Sequence, residues 1–369
     1  MNNTTITKID IFKINIPLSR PYRVSYAYFE NADNLIVRIH TESGVYGIGE
    51  CVPGTKVTGD TQQSSFEICQ FIAKNLIGKD PLAINERMSE LNGYLDYNSA
   101  SKSAFDMALY DLSAKVAGLP LYAFLGGENR TIITDNTIGI GDPKVMAQAA
   151  AQYVEQGFSA VKVKLGTNKD DDVERVKLIR QAIGDNISIR IDANQGWDVT
   201  TAIQTLKALE PYNVQYCEEP VICWDSDGLK RVRANSLIPI MADESIHDHH
   251  DAFRLAKNEA CDYFNIKLAK AGIHSALKIN AVGESAGIKC MVGCMDETRL
   301  AISAAAHLVS ARPNIIFADL DSPLSLSQDP VQGGIVYEGE NIIIPDTPGH
   351  GADIKSEFID KLECVTVTA

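Results

Sequence analysis

The sequence predicts an α/β fold: a (β/α)8 TIM-type barrel with an α+β capping domain built from the N-terminal region and the C-terminal tail. Three observations predict it. From about residue 130, eight short β-branched runs each end in polar or charged residues and lead into a helix-like stretch: TDNTIGI, AVKVKL, ISIRIDAN, VQYCEEP, IPIMADES, YFNIKLAK, IKCMVGCMDE and IIFADLDSP. Their polar landmarks Lys164, Asp192, Glu218, Asp243, Lys267, Cys294 and Asp319 are 28, 26, 25, 24, 27 and 25 residues apart, the length of one strand plus one helix. On either side of this repeat the texture changes to alternating apolar and polar residues, as in antiparallel hairpins. A doubly wound sheet is the alternative, but it rarely keeps eight evenly spaced units.

In chain order, residues 1–127 read as the cap. KIDIFKINI and NLIVRIHTESGVYGIGE alternate like strands, and ESG suits a hairpin turn. SASKSAFDMALYDLSAKVAG follows as a helix, with Ala104, Ala108, Leu112 and Val116 at helical spacing and Gly118 and Pro120 as stop signals. Residues 128–324 are the barrel. Residues 325–369, with VQGGIVYEGENIIIPDTPG, read again as hairpin strands and are expected to return to the cap.

The bulk properties exclude several classes. The chain has 369 residues, 45% hydrophobic and 22% charged, as in a globular protein with a sizeable core. A net charge of −14 argues against nucleic-acid binding, which needs a basic patch. The start, MNNTTITKIDIFKINIPL, lacks a basic segment followed by an apolar run, and no stretch approaches the ~20 apolar residues of a membrane helix. No signal peptide, no membrane partner and a cytoplasmic location are therefore expected. The eight cysteines form no CxxC pair and are expected as reduced thiols. His247, His249 and His250 cluster locally, but with no ligand at a fixed spacing they read as an exposed helix start.

Barrel active sites lie at the C-terminal ends of the strands. Here strands three, four and five end in Asp192, Glu218 and Asp243. One such carboxylate is commonly a helix cap; three at matching register would repel unless a cation sits between them. All-oxygen ligands point to a hard ion, Mg2+ with Mn2+ tolerated. Glu219 and Glu244 are adjacent alternatives, only one of each pair facing inward. In AVKVKLG, Lys162 and Lys164 share one face of strand two, and Lys267 lies on strand six, so Lys164 and Lys267 face each other across the ring. That arrangement suits abstraction of a proton next to a carboxylate. A lysine acts as base only if its pKa is lowered, and burial beside a second ammonium and a metal ion is expected to lower it.

The motifs KVK, DAN, EEP, ADES and NIKLAKAG, in this order, together with ALYDLSAKVAGLPLY before the barrel, closely resemble the muconate-lactonizing-enzyme subgroup of the enolase superfamily over nearly the whole chain. The resemblance implies Asp192, Glu218 and Asp243 as Mg2+ ligands, Lys164 and Lys267 as the acid/base pair, and Lys162 as a neutraliser of the substrate carboxylate. The mandelate-racemase branch is disfavoured, because MVGCMDE offers no histidine base on strand seven.

Within the subgroup, the DxD of Asp319 and Asp321 on strand eight resembles that of dipeptide epimerases, which implies a grip on a free α-ammonium group and epimerisation of the C-terminal residue. N-acylamino-acid racemase or o-succinylbenzoate synthase is the alternative, and a non-catalytic metal-binding barrel the alternative from another class. Relatives acting on L-Ala-D/L-Glu carry a loop arginine where PYRVSYAYFE places Ala27, with Arg23 four residues earlier. An uncharged, hydrophobic second side chain is therefore expected. Asp296 leaves a cationic one open, and Thr137 and Cys294 match substrate-lining positions. The partner is a small-molecule dipeptide, and a homo-oligomer is expected.

Overall fold

The computed structural model describes residues 4–369. Its N-terminal part is built on a long hairpin. Strand β1 (Ile6–Arg23) pairs antiparallel with β2 (Tyr28–Thr41), and β3 (Tyr46–Cys51) adds to the far side of β2. The last strand, Cys364–Thr368, pairs antiparallel with β1, with Ile11 opposite Val365. Strand periodicity divides the sheet's side chains between two cores. Leu35, Val37 and Ile39 pack with the helices of the cap, whereas Ile14, Ile16, Ile36 and Ile48 join the barrel core.

Three helices cover the sheet. Helix α1 (Gln62–Leu76) starts at Thr61, whose hydroxyl accepts from the Ser64 backbone N–H while the Ser64 hydroxyl accepts from that of Thr61, a reciprocal cap. After α2 (Ile84–Tyr94) comes α3 (Ser99–Ala117), which ends at Gly118 with φ 69°, a left-handed stop. Every residue of α3 from Ala100 to Ala114 is buried. The alanine stripe read from the sequence marks only one of its contact faces. Ala104, Phe105 and Leu112 belong to the cap core, and Met107, Tyr110 and Ala114 to the barrel core. The helix packs against both.

Eight parallel strands follow: Asn136–Ile138, Ala160–Lys164, Ser188–Asp192, Val214–Glu218, Ile240–Ala242, Tyr263–Lys267, Lys289–Gly293 and Ile315–Ala318, hereafter barrel strands one to eight. Each hydrogen-bonds to its sequence neighbour. The ring closes where Thr134 bridges Ala318 in parallel and its hydroxyl accepts from the Leu320 N–H at 2.8 Å. α-Helices of 9 to 19 residues follow strands one to seven. The eighth unit departs from the sequence expectation: strand eight runs into a short 3-10 turn, Ser322–Ser325, with Pro323 in its first positions, instead of an α-helix. Inside the ring, Tyr216, Met241 and Met291 fill the floor with Tyr263 and Phe317 against them. The Arg190 guanidinium lies over the Tyr216 and Phe317 rings and pairs with Asp135 at 2.8 Å. Above this plug the inward positions turn polar. Among the described residues, no helix is long and apolar enough to cross a membrane. His249 opens a helix behind the N-cap Asp248, as the histidine cluster suggested.

Candidate active site

The polar layer follows from strand register. Lys164 stands opposite Asp192 and Asp192 opposite Glu218, because strands two, three and four end level. Asp243 follows the end of strand five and Lys267 closes strand six. Asp192, Glu218 and Asp243 are fully buried, and one carboxylate oxygen of each lies within 4.8 Å of the others.

Four ammonium groups are threaded among four carboxylates. Lys162 Nζ lies 2.8 Å from Glu218, 2.6 Å from Asp319 and 3.4 Å from Asp192. Lys164 pairs with Asp192 and Lys267 with Asp243, each at 2.7 Å. Lys270 takes the second oxygen of Asp243. Neutral donors complete the shell: Asn265 Nδ2 donates to Glu218 at 2.7 Å, and the Asn194 backbone N–H donates to Asp192 at 2.8 Å. Asn194, Gln195 and Glu219 sit at φ 41°, 66° and 33°, a local backbone strain tolerated where strand ends turn sharply over the site. That turn sends Glu219 away from Glu218, to accept from Ser245 and from the Asp243 N–H.

The electrostatics follow. Burial works against the Asp243 charge, but Lys267 and Lys270 outweigh it and hold its carboxyl well below the ordinary range. Asp192 is likewise held down by Lys164 and Lys162 against its burial. Glu218 is different: burial, and then Asp192 beside it, push it up to about 8. It must share the Lys162 ammonium with Asp319 and Asp192, and so is the least neutralised of the three. Lys267 is buried among charges of both signs. Burial favours its neutral form, but the charges of Asp243 and Glu218 prevail and hold it well above the ordinary lysine value. The Lys162 ammonium opposes them more weakly.

The layer forms the floor of a cavity of about 1100 Å³ between barrel and cap, and Lys164, Lys267 and Glu244 reach its surface. Glu244 therefore shares the mouth with Asp243; its Oε1 accepts from Asn194 at 3.2 Å. Lys162 is 1% exposed and lies beneath that surface, spent on carboxylates. At one side, Asp319 and Asp321, just past the end of strand eight, and Cys294, just past the end of strand seven, bring ligand atoms within 4.8 Å of one another. Asp321 accepts from the Thr137 N–H at 2.6 Å, and the Cys294 thiol lies 3.6 Å from it. Burial, and then the charge of Asp319, push Asp321 up to about 6. Asp319 Oδ1 is buried without a hydrogen-bond partner. Across the cavity Ala27 ends a tight turn closed by its carbonyl and the Val24 N–H, and Tyr22, Tyr26 and Phe29 line the wall around it. Asp296 accepts from the Tyr22 hydroxyl at 2.9 Å.

Lys270, Asn265, Asn194, Tyr22 and Tyr26 were not singled out from the sequence. Asn265 was visible in principle, a polar residue with the inward parity of Lys267 on an apolar strand. Asn194 and Tyr26 act from turns, whose side-chain directions no periodicity fixes, while Tyr22 ends a cap strand and Lys270 sits in the first turn of the helix after strand six.

Residues 6–126 match the N-terminal domain of mandelate racemase/muconate lactonizing enzymes, and residues 145–358 match the enolase C-terminal domain-like family. The chain belongs to the enolase superfamily. This superfamily member is 46% identical over 365 residues to a D-Ala-D/L-Ala epimerase of Cytophaga hutchinsonii, covering 98% of this chain and 99% of that protein. It is 42% identical to a hydrophobic dipeptide epimerase of Enterococcus faecalis, over 92% of this chain and 96% of that one. Among solved structures, the C. hutchinsonii dipeptide epimerase complexed with Mg and the dipeptide D-Ala-L-Val superposes with a TM-score of 0.97 at 45% identity, over 99% of this chain and all of that one. The superfamily assignment accounts for a barrel with a capping domain and for the order of the strand-end motifs.

Proposed function

We propose that this chain is a Mg2+-dependent dipeptide epimerase that inverts the α-carbon of the C-terminal residue. The observation that carries the reading is the placement of Lys164 and Lys267 at one cavity surface, on strands four apart in an eight-strand ring, with the buried carboxylates between them.

The three carboxylates suit a hard divalent ion. They are fully buried, all oxygen, and Glu218 Oε2 and Asp243 Oδ2 accept no hydrogen bond, though an ammonium nitrogen lies near each. Asp192, Glu218 and Asp243 would hold Mg2+, with Mn2+ as the alternative, and the bound ion supplies charge stabilisation to the substrate carboxylate as the α-carbon loses its proton. The chain's own residues do the rest. Lys164 and Lys267 spend their charge on Asp192 and Asp243, so each becomes a base only when its carboxylate is engaged elsewhere. One amine takes the α-proton, leaving the electron pair delocalised into the carboxylate as an enediolate. The opposite ammonium returns a proton to the other face, and the configuration inverts. Lys162, pinned among Glu218, Asp319 and Asp192, neutralises this carboxylate layer from beneath.

Asp319 and Asp321 would receive the α-ammonium of a free dipeptide. The orphaned oxygen of Asp319 and the raised Asp321 carboxyl both seek a cation. Thr137 and Cys294 shape that end. At the other end Ala27 and the aromatic wall favour a hydrophobic second residue, and the Tyr22 hydroxyl already engages Asp296. The Mg and dipeptide complex of the C. hutchinsonii enzyme supports the substrate class. We further place the enzyme in the cytoplasm as a homo-oligomer; its eight free thiols support a reducing compartment.

The test is turnover of a dipeptide panel against N-acetyl controls. Free dipeptides with hydrophobic second residues should epimerise and their N-acetyl forms should not. Turnover of N-acylated amino acids alone would contradict the reading, and preference for a glutamate second residue would assign Arg23, which lines the same cavity, the role denied to Ala27.

A further inference from the structure

Lys267 is the last residue of barrel strand six and the residue from which the helix Leu268–Ala286 departs. That helix is broken after its first turn. Gly272 has φ 64° and ψ 178°, and regular helix resumes at Ile273. The short segment 268–273 therefore orients Lys267 from behind. It also carries Lys270, whose ammonium pairs with Asp243 and lies 3.2 Å from the Asn265 carbonyl.

Both ends of this segment are fixed by one helix of the cap. The Ser103 hydroxyl of α3 donates to the Leu268 carbonyl. One turn along, Asp106 Oδ2 accepts from the backbone N–H of Ile273 and, at 3.0 Å, from that of His274. These are the first free N–H groups of the resumed helix, where a carboxylate is favoured. The fit is close. A Cβ on Gly272 would lie 2.5 Å from Asp106 Oδ2, and the left-handed φ there already favours glycine. Asp106 is fully buried, and its Oδ1 has no hydrogen-bond partner. A buried half-satisfied carboxyl is a costly way to cap a helix, and a hydroxyl would do so at lower desolvation cost. What the aspartate adds is two N–H groups gathered on one oxygen, which fixes the angle at which the broken helix leaves the strand.

We infer that Asp106 is a positioning residue for Lys267, through which the cap sets the aim of one of the two lysines and leaves the other to the barrel. Behind Lys164 the backbone is held within the barrel, the N–H groups of Leu165 and Gly166 bonding to Asp192 and Asp172, and the cap's Ser25 hydroxyl donates at 2.6 Å to the Asn194 carbonyl rather than to the segment that carries the lysine. The inference rests on the acid/base reading of the two lysines, and it predicts an asymmetry that a merely structural role would not produce.

The experiment isolates each lysine in turn. In Lys164→Ala, hydrogen–deuterium exchange at the C-terminal α-carbon of one Ala-Leu epimer reports Lys267 alone; in Lys267→Ala, exchange of the other epimer reports Lys164 alone. Asp106→Ala is added to each, with Mg2+ saturating and thermal melts recorded. The expected result is a loss of about tenfold or more in the Lys164→Ala background, the scale of a base displaced by a fraction of an ångström. In the Lys267→Ala background the loss should stay within about threefold, the scale of one ordinary hydrogen bond. Gly272→Ala, which keeps the carboxylate and displaces it, should reproduce the asymmetry and covers the case in which Asp106→Ala does not fold. Equal losses in both backgrounds, or none in either, would overturn the inference. If neither single-lysine variant exchanges either epimer, the two-base reading fails first and takes this inference with it.

Discussion

The hydroxyl of Tyr22, at the end of the cap's first strand, donates to Asp296, beyond barrel strand seven, at 2.9 Å. This bond spans the junction of the two parts of the molecule. It also occupies the one carboxylate that the sequence left open as a partner for a cationic substrate. Tyr22 is held from behind by stacking on Phe29 at 5.2 Å, and the Asp296 backbone carbonyl accepts from Asn34 at 2.8 Å. Burial pushes Asp296 up to about 6 even with the tyrosine bond in place.

Tyr22→Phe should therefore broaden specificity. It leaves a buried carboxylate without its donor, and a lysine or arginine second residue would supply the missing charge. The ratio of kcat/KM for Ala-Lys to that for Ala-Leu should rise about tenfold, the worth of one charge-assisted bond. An unchanged ratio would show that Asp296 does not face the bound side chain.

Asp321→Asn tests the other end of the substrate. It removes a charge from the ammonium site while keeping the acceptor for the Thr137 N–H. The kcat/KM for free dipeptides should fall by about ten- to a hundredfold, the range for a hydrogen bond to a charged group. Affinity for an N-acetylated dipeptide should stay level. Equal losses for both ligands would mean that Asp321 acts only on the fold of the strand-eight turn.

Chelation should abolish α-proton exchange without unfolding the protein. Four ammoniums balance four carboxylates in the layer, so the apo site carries no large unopposed charge. A single cooperative melt should persist in excess chelator, and Mg2+ should raise Tm in a concentration-dependent way, as any ligand of the native state does. Loss of the cooperative transition on chelation would contradict the pairing described here.

Glu297 predicts a pH effect. Burial, and then the charge of Glu50, raise it from the ordinary glutamate value to about 8. The folded state thus keeps a proton that the unfolded chain releases between about pH 4.5 and 8, so stability falls as pH rises through that window and is not further reduced above it. Glu297→Gln mimics the protonated form. Melts at pH 5 and pH 8 should show a smaller decline in Tm for the variant than for the parent. An equal decline would place the titration elsewhere.

The legibility of these features in the sequence follows physical lines. The barrel was readable because seven of its eight strand ends are marked by a polar residue, six of them charged, at regular spacing, and the strand parity of Lys162 and Lys164 put both on one face. Parity could not say how deep each would lie. Lys162, two residues earlier, falls one layer lower and meets carboxylates instead of the cavity. Parity also does not reach Asp243, the strongest charge beside Lys267, which follows the end of strand five. The missing eighth helix reflects Pro323 and the turn it favours, which outweighs the periodicity of the preceding units. Helix α3 was placed with its Gly118 stop, but burial on all sides, and with it the role of Asp106, depends on two cores meeting around one helix.

The central claim is that two lysines serve opposite faces of one α-carbon. Its most direct measurement is deuterium incorporation from D2O into the C-terminal residue of each epimer of Ala-Leu, with the parent protein, Lys164→Ala and Lys267→Ala, all loaded with Mg2+. The account predicts inversion with deuterium uptake for the parent, and for each variant exchange of a single epimer, opposite in the two, with no inversion. Inversion by either single-lysine variant, or exchange of the same epimer by both, would contradict it.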